Sequence, residues 1–558
     1  MKKDDSLPES DTRGIGRRSV LKMVGAAASS AFISAGVTQK AQASTQNKQD
    51  DWDCGELAHI IPGANHERFL IKTSFKSKRN KVPQITIEGR KILGQQTDPL
   101  GRFWQFDIPN LKANTNYILQ LSEIGGAELC EPWPLKTFPA PGTMPESLRI
   151  FAYTCAGGDD KMSPIPGKTS WLDMPTRRKL LDKGMSFNPD VVIANGDHIY
   201  WDIKTFLNKP FAAKFLQEEY WPKYGDPINY DRPMLDDSNI KTFLGICDYQ
   251  IAGLYGTTLR STPSFFVTDD HDYFENDEYS NDLATMPPDD YGLSAALETQ
   301  QLYYPEFLPD ANRPQWLQGG NLANHPPGVN TVFGTLRYGD LLEAVFYDCR
   351  RYANYKGNSA TLLPEWTENW LIDRTKTEDT RHFMHCPSLP FVYSSGKLGD
   401  WYPDLLDKKA NKLVMSKQKP GWQSGWFGQH QRLIEAIASQ KQRSPIIVQG
   451  DFHASAAGSV YRSGELDLSK NPVHVVTSGA LGTGDLGFPS SIRSIESSPS
   501  AMIGVKSAML PTEKNGFTII DITADKVKFS IFTWRPPQSA DEIDTMEPAL
   551  VYEVPRKA

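Results

Sequence analysis

Cysteine is scarce in this chain, with six in 558 residues, far too few for a small fold stapled by disulfides. Positive charge is not in surplus either. Sixty Lys and Arg stand against 67 Asp and Glu, for a formal net charge of −7. That excludes a surface for scanning nucleic acid or adhering to anionic membrane, because phosphate backbones recruit basic residues; one local basic pocket for an anion is still compatible. No segment beyond the N-terminus is long and apolar enough to span a bilayer, which takes roughly 20 residues. The chain instead has 42 Gly, 40 Pro, 13 Trp, 21 Tyr and 26 Phe. Such a composition excludes disorder, collagen and coiled coil and points to a loop-rich mixed fold of two or three domains with a large core.

The N-terminus reads as an address. Gly16-Arg17-Arg18-Ser19-Val20-Leu21-Lys22 is a twin-arginine pattern, followed by a weakly apolar run from Met23 to Val37 and an A-x-A cleavage site at Ala41-Gln42-Ala43. Residues 1–43 are therefore expected to be a signal peptide. The expected partner during export is the twin-arginine translocase, and the expected location is periplasmic or extracellular. The mature chain is expected to lack an integral membrane segment.

From about Trp52 to Thr137 the apolar residues recur with period two, as in Phe69, Ile71, Thr73 and Phe75, in Trp104, Phe106 and Ile108, and in Tyr117, Leu119 and Leu121. This spacing predicts a small β-sandwich of the immunoglobulin or fibronectin kind over 52–137. Cys54 and Cys130 bracket it and could pair in an oxidising compartment. A stiff linker, Phe138 to Pro145, follows.

Beyond the linker, over 148–540, four β-rich apolar runs each stop at a cluster of polar residues. They end at Thr154-Cys155, at Asn195-Gly196-Asp197-His198-Ile199-Tyr200, at Asp269-Asp270-His271-Asp272 and at Gly450-Asp451-Phe452-His453. Continuous apolar runs read as strands buried on both faces, and layered α/β sheets build their sites at the carboxyl ends of strands. An amphipathic helix is expected at Gln429 to Gln440, with Leu433, Ile434 and Ile437 as its apolar stripe. Each tip alone has an ordinary explanation as a turn, a solvated loop or a small core residue. Four together, carrying Cys, Asp, Tyr and His, describe a metal site.

The order of these motifs resembles the calcineurin-like metallophosphoesterases, and more closely their alkaline phosphatase D (PhoD-like) branch. Cys155 stands where that branch has a cysteine in place of the Asp-x-His of the wider superfamily. Gly196 to Tyr200 matches Gly-Asp-x-x-Tyr, and Asp269 to Asp272 matches Asp-Asp-His-Glu with a conservative Asp at its end. Tyr347-Asp348-Cys349-Arg350 matches Leu-Asp-x-Arg, and Gly450 to His453 matches Gly-Asp-x-His. The resemblance covers nearly the whole chain and implies an α/β fold, a layered αββα sandwich preceded by a small N-terminal β-sandwich. One departure is that the family's Trp-Asp-Gly-Tyr reads Trp426-Phe427-Gly428-Gln429 here, so an acid is missing.

A carboxylate-bridged metal pair suits phosphoester hydrolysis, since it neutralises phosphate, generates hydroxide from bound water and stabilises the leaving oxygen. Asp197, on the second strand tip between the other donors, is the expected bridge. Cys155, Tyr200 and His453 would hold a metal tolerant of soft anionic donors, which the resemblance implies is Fe³⁺. Asp270 and Asp451 offer hard oxygens that favour Ca²⁺, again as the resemblance implies, and Asn276 could add an amide oxygen. His271 fits a proton donor or phosphate contact, or else a histidine bonded to the loop backbone. Arg350 fits either a clamp on phosphate oxygens or a structural pair with Asp348. Cys247, Cys349 and Cys386 read as core or surface residues, and His382 and His385 as residues of a polar insertion. Substrate choice is expected to rest on the insertions at 277–335 and 354–425.

The expected function is an exported, metal-dependent hydrolase of small-molecule or polymer phosphate mono- or diesters. The alternatives are a phospholipase-type phosphodiesterase acting on lipid or polymer headgroups and, in another class, a secreted Ca²⁺-stabilised binding protein with a degenerate site. The leader makes its own prediction. Replacing Arg17 and Arg18 together by Lys should leave uncleaved precursor in the cytoplasm, seen by fractionation and immunoblot. Normal export of that variant would sink the twin-arginine reading.

Overall fold

Two antiparallel sheets form the N-terminal region of this computed structural model, which describes residues 52–557 apart from 161–167, 202, 204–209, 274–289, 321 and 323. The expected twin-arginine leader and Asn276 lie outside the described residues. One sheet orders Leu57–Ala64, Phe69–Phe75, Phe103–Ile108 and Gln95–Gln96, and the other Arg90–Leu93, Pro83–Ile87, Asn116–Glu123 and Trp133–Lys136. The side chains that recur with period two, among them Phe69, Ile71, Phe106, Leu119 and Leu121, fill one core between them. Phe69–Phe75 is buried on both faces, although its alternation predicts one wet face. The helix Asp290–Tyr303 lies on its outer side. There Lys72 Nζ reaches Glu306 Oε1 at 2.9 Å and the Gln301 carbonyl at 2.9 Å, so a buried lysine is kept with a carboxylate partner.

The larger part is a sandwich of two mixed sheets. The first orders Ser264–Val267, Val191–Asn195, Ser147–Tyr153, Asn515–Thr523, Lys526–Trp534 and Leu550–Pro555. Its first three strands are parallel. The second sheet contains Phe333–Tyr338, Leu342–Tyr347, His382–Pro387, Ile446–Gln449, Val473–Thr477 and Ser455–Ser463, and its run from Leu342–Tyr347 to Val473–Thr477 is parallel. Alternate residues divide between layers. Ile150, Val191, Phe265, Ala344, Phe346 and Val448 share one inner core. Phe151, Val192 and Phe266 face a layer containing the helix Met174–Met185. Val345, Phe383 and Ile447 face the helix Ser424–Ala438 through Leu433, Ile434 and Ile437. This is the αββα sandwich, and it explains why the strands read as unbroken apolar runs.

The structure corrects three expectations. The last large helix begins at Ser424 rather than Gln429. Residues 354–425 are not simply an insertion, because they hold the helix Glu365–Lys376 and the central strand His382–Pro387. Two histidines and a cysteine disguise that strand's apolar pattern. Its polar side chains find partners: His382 Nε2 lies 2.7 Å from the Thr523 carbonyl and His385 Nε2 lies 2.9 Å from Thr375 Oγ1. Likewise 277–335 includes the covering helix and the start of the edge strand Phe333–Tyr338. All six cysteines, Cys54 and Cys130 included, are free thiols, and Cys247, Cys349 and Cys386 are buried.

Burial of histidine carries a pH prediction. Desolvation pushes His59, His198, His382 and His474 down to about 4 from 6.5, and His385 and His430 to about 3. Each stays neutral in the folded chain while the unfolded chain takes up its proton below 6.5. Stability from this source is thus complete above 6.5 and lost as pH falls towards 4. Calorimetric unfolding midpoints should be flat above 6.5 and fall progressively below it; midpoints unchanged down to pH 4 would contradict the assignment.

Candidate metal centre

The two sheets are joined at the edge where their parallel strands end. Thr154 Oγ1 donates to the Asn195 carbonyl at 2.6 Å and accepts from the Asp451 N–H at 3.0 Å, and Asn195 Nδ2 donates to the Pro387 carbonyl at 3.0 Å. Gly450 is needed there, because a Cβ would lie 2.1 Å from the Asn195 carbonyl oxygen. Just past this seam three side chains leave from left-handed backbone, Cys155 at φ 48°, Asp197 at φ 55° and Asp451 at φ 64°. Asp tolerates that region and Cys adopts it rarely, at a cost of about 1 kcal/mol or more. The turns aim all three into the space between the strand ends.

Asp272 fixes one of these turns. Its carboxylate accepts from the N–H groups of Asp197 at 3.0 Å, His198 at 3.0 Å, Ile199 at 3.3 Å and Asp269 at 2.9 Å. The last residue of the Asp-Asp-His-Asp motif is therefore a clamp on the loop that carries Asp197. Asp348 plays a similar part, accepting from the backbone N–H of Arg350 at 2.6 Å and of Arg351 at 3.1 Å. Its other oxygen accepts from Thr268 and Tyr273. Of the two readings of Arg350, the side-chain pair with Asp348 is not seen among the described residues, and the guanidinium instead bonds Asp269, Asp400 and Asp451.

The first cluster gathers four sequence-expected donors. Cys155 Sγ lies 3.2 Å from Asp197 Oδ2, Tyr200 Oη 3.4 Å from the same oxygen and 3.2 Å from His453 Nε2, and His453 Nε2 3.9 Å from Asp197 Oδ2. His453 Nδ1 bonds the Gly487 carbonyl, which can only accept. The proton is thus on Nδ1 and the Nε2 lone pair faces the cluster. Asp197 Oδ1 is buried with no hydrogen-bond partner. Burial, then the Asp197 charge, push the Cys155 thiol well above its ordinary range, so it donates to Asp197 and must release a proton to become a ligand. A buried carboxylate with an orphaned oxygen, a thiol, a phenol and a tautomer-fixed imidazole fit a metal ion of soft-to-borderline preference. Ligand atoms of Cys155, Asp197 and His453 all lie within 4.8 Å of one another.

The second cluster holds Asp269, Asp270 and Asp451, with ligand atoms also within 4.8 Å of one another. Two protein cations enter it. Lys397 Nζ lies 3.0 Å from Asp270 Oδ2 and 2.7 Å from Asp451 Oδ1. Arg350 Nε lies 2.5 Å from Asp269 Oδ1, Nη1 2.9 Å from Asp400 Oδ1, and Nη2 3.2 Å from Asp451 Oδ2 and 3.8 Å from Asp270 Oδ2. Burial would raise the Asp270 carboxyl, but Lys397, Arg350 and His271 outweigh it and hold it below the ordinary range. His271 stands between the clusters, its ring 4.3 Å from that of Tyr200 and a ring nitrogen grouped with Asp197 and Asp270.

The sequence reading missed Lys397, Asp400 and the structural role of Asp272. Phe427, at the position of the missing acid, stacks on Trp401 at 6.2 Å, and Gln429 bonds the backbone of Leu362 and Leu363. This stretch is therefore spent on packing, and the acid nearest Arg350 from that side is Asp400. The clamp gives a prediction. Asp272→Ala strands four N–H groups and should destabilise the fold by about 3 kcal/mol, with loss of bound metal, whereas Asp272→Asn should cost less. Equal unfolding midpoints for wild type and Asp272→Ala would refute the clamp.

Known proteins share this fold. No curated protein matches the sequence significantly. Among solved structures, one titled "Structure of PhoD" superposes with a TM-score of 0.56 at 14% identity, covering 90% of each chain. The purple acid phosphatase PPD1 from yellow lupin (Lupinus luteus) seeds superposes with a TM-score of 0.50 at 12% identity, covering 89% of this chain and 74% of that one. At these identities the likeness is one of fold. A family model, the PhoD-like phosphatases, matches residues 174–531, a span that holds every expected site residue except Cys155. The chain belongs to the PhoD-like phosphatase family.

Proposed function

We propose that this chain is an exported, metal-dependent phosphohydrolase of phosphate mono- and/or diesters. Under this reading it leaves the cytoplasm through the twin-arginine translocase and works in the periplasm or outside the cell, with iron held by Cys155, Asp197, Tyr200 and His453. Family membership makes it a phosphoesterase. The observation that carries the metal reading is Asp197, buried with Oδ1 unpartnered and Oδ2 facing a thiol, a phenol and an imidazole. A metal bound there would polarise a phosphoryl oxygen and lower the pKa of bound water.

The chain's own groups supply the rest. Tyr200 is braced by Trp171 at 5.2 Å and by His271, so its hydroxyl is held against Asp197. His271, beside both clusters, is placed to give a proton to a departing ester oxygen. Arg350 and Lys397 bring permanent positive charge beside the first cluster, and Arg350 Nη2, 3.2 Å from Asp451 Oδ2 and 3.5 Å from Asp269 Oδ2, would exchange those contacts for a phosphate oxygen to act as the clamp. Calcium at Asp270 and Asp451, which the family resemblance implies, is a different matter. Those oxygens are hard enough, but they already enclose Lys397 Nζ, so as placed they do not fit a second cation.

The test pairs p-nitrophenyl phosphate with bis-p-nitrophenyl phosphate, alongside metal analysis. Wild type should hydrolyse at least one of them and contain iron with visible thiolate or phenolate charge-transfer colour. Cys155→Ala should keep its circular dichroism, lose iron and colour, and lose activity by orders of magnitude. Unchanged iron and colour in that variant would return Cys155 to the core and remove the support for this site.

A further inference from the structure

Resting on the metal reading of the first cluster, we infer that the Lys397 ammonium occupies the place of the second cation, so that this enzyme works with one metal ion and a fixed protein charge. An ion shared by Asp270 Oδ2 and Asp451 Oδ1 would sit where Lys397 Nζ lies, 3.0 and 2.7 Å from those oxygens. Calcium takes oxygen ligands at about 2.3–2.6 Å, so ion and ammonium compete for one position. The remaining Asp451 oxygen is not open either, since Arg350 Nη2 lies 3.2 Å from it.

The lysine is built into this position. It follows the short strand Tyr393–Ser394, which pairs with Ser498–Pro499. Ser394 Oγ accepts from the Gly396 N–H at 3.3 Å, and Gly396 turns at φ 82°, in the left-handed region, where a Cβ would also lie 3.1 Å from Leu413 and 3.2 Å from Leu406. The turn delivers Lys397 inward with its side chain 9% exposed. A lysine directed between two buried carboxylates is a charge partner whose removal would leave them uncompensated. An ammonium offers three donors and no open coordination position. The site that results is asymmetric, with an exchangeable ion on the Cys155 side and a permanent charge on the Asp451 side. The positive charge between Asp270 and Asp451 therefore does not depend on free calcium.

The experiment counts ions. Mature protein is purified, dialysed against millimolar calcium, magnesium, manganese and zinc in turn, and analysed by inductively coupled plasma mass spectrometry; calcium titration calorimetry is run in parallel. Wild type should carry one transition-metal ion per chain, with no stoichiometric calcium or other second ion. Lys397→Gln and Lys397→Ala, shown to be folded by circular dichroism, should each gain one calcium per chain, and Lys397→Arg should not. A second stoichiometric ion in wild type would overturn the inference, as would folded Lys397→Gln binding no more calcium than wild type. Failure of the first-cluster reading would appear separately, as wild type without a transition metal, whatever the calcium count.

Discussion

Asp197 is a carboxylate sealed inside protein with one oxygen unpartnered, and much of the surrounding architecture serves to keep it there. An isolated buried charge costs several kcal/mol unless a cation or donors answer it. Among the described residues, what faces its other oxygen is a thiol, a phenol and an imidazole, all groups that bind metals and none of them a permanent cation. Asp272 clamps its turn, and the left-handed backbone at Cys155 and Asp451 brings partners in from two other strand ends. The seam through Thr154, Asn195 and Gly450 holds the two sheets close enough for those ends to meet.

The two halves of the site solve the same electrostatic problem differently. On the Cys155 side no permanent cation among the described residues answers the Asp197 carboxylate, and under the proposed reading an ion would do so once the Cys155 thiol gave up its proton. On the Asp451 side the chain brings its own cations, Arg350 and Lys397. Under the proposed reading, the first arrangement would hold a Lewis acid tuned by its ligands. The second gives a charge that chelation cannot remove. His271, between them, is the group positioned to move a proton where both charges act.

Much of this was legible in the sequence because ligand-type residues end apolar runs, and a run buried on both faces fixes where its end lies. Cys155, Asp197, Tyr200, Asp270, Asp451 and His453 could be read that way, as could the β-sandwich from the alternation through Phe69 and Leu119. Lys397 could not. It sits in a Ser-Ser-Gly-Lys stretch that looks like a solvated turn, and its partners are 127 and 54 residues away. The strand His382–Pro387 was hidden for a related reason, since burial of polar side chains there depends on acceptors such as Thr523 from a distant strand. The outer face of Phe69–Phe75 likewise depends on a helix more than 200 residues further on. Local pattern reports which residues want burial or a ligand, and long-range pairing decides which of them obtain it.

The central claim is that the Cys155 sulfur binds the metal ion beside Asp197. X-ray absorption at the edge of the metal found in the purified wild-type protein tests it most directly, because sulfur scatters differently from oxygen and nitrogen. The account predicts one sulfur among the atoms bound to the ion, together with lighter O and N ligands. An ion surrounded by oxygen and nitrogen alone would contradict it.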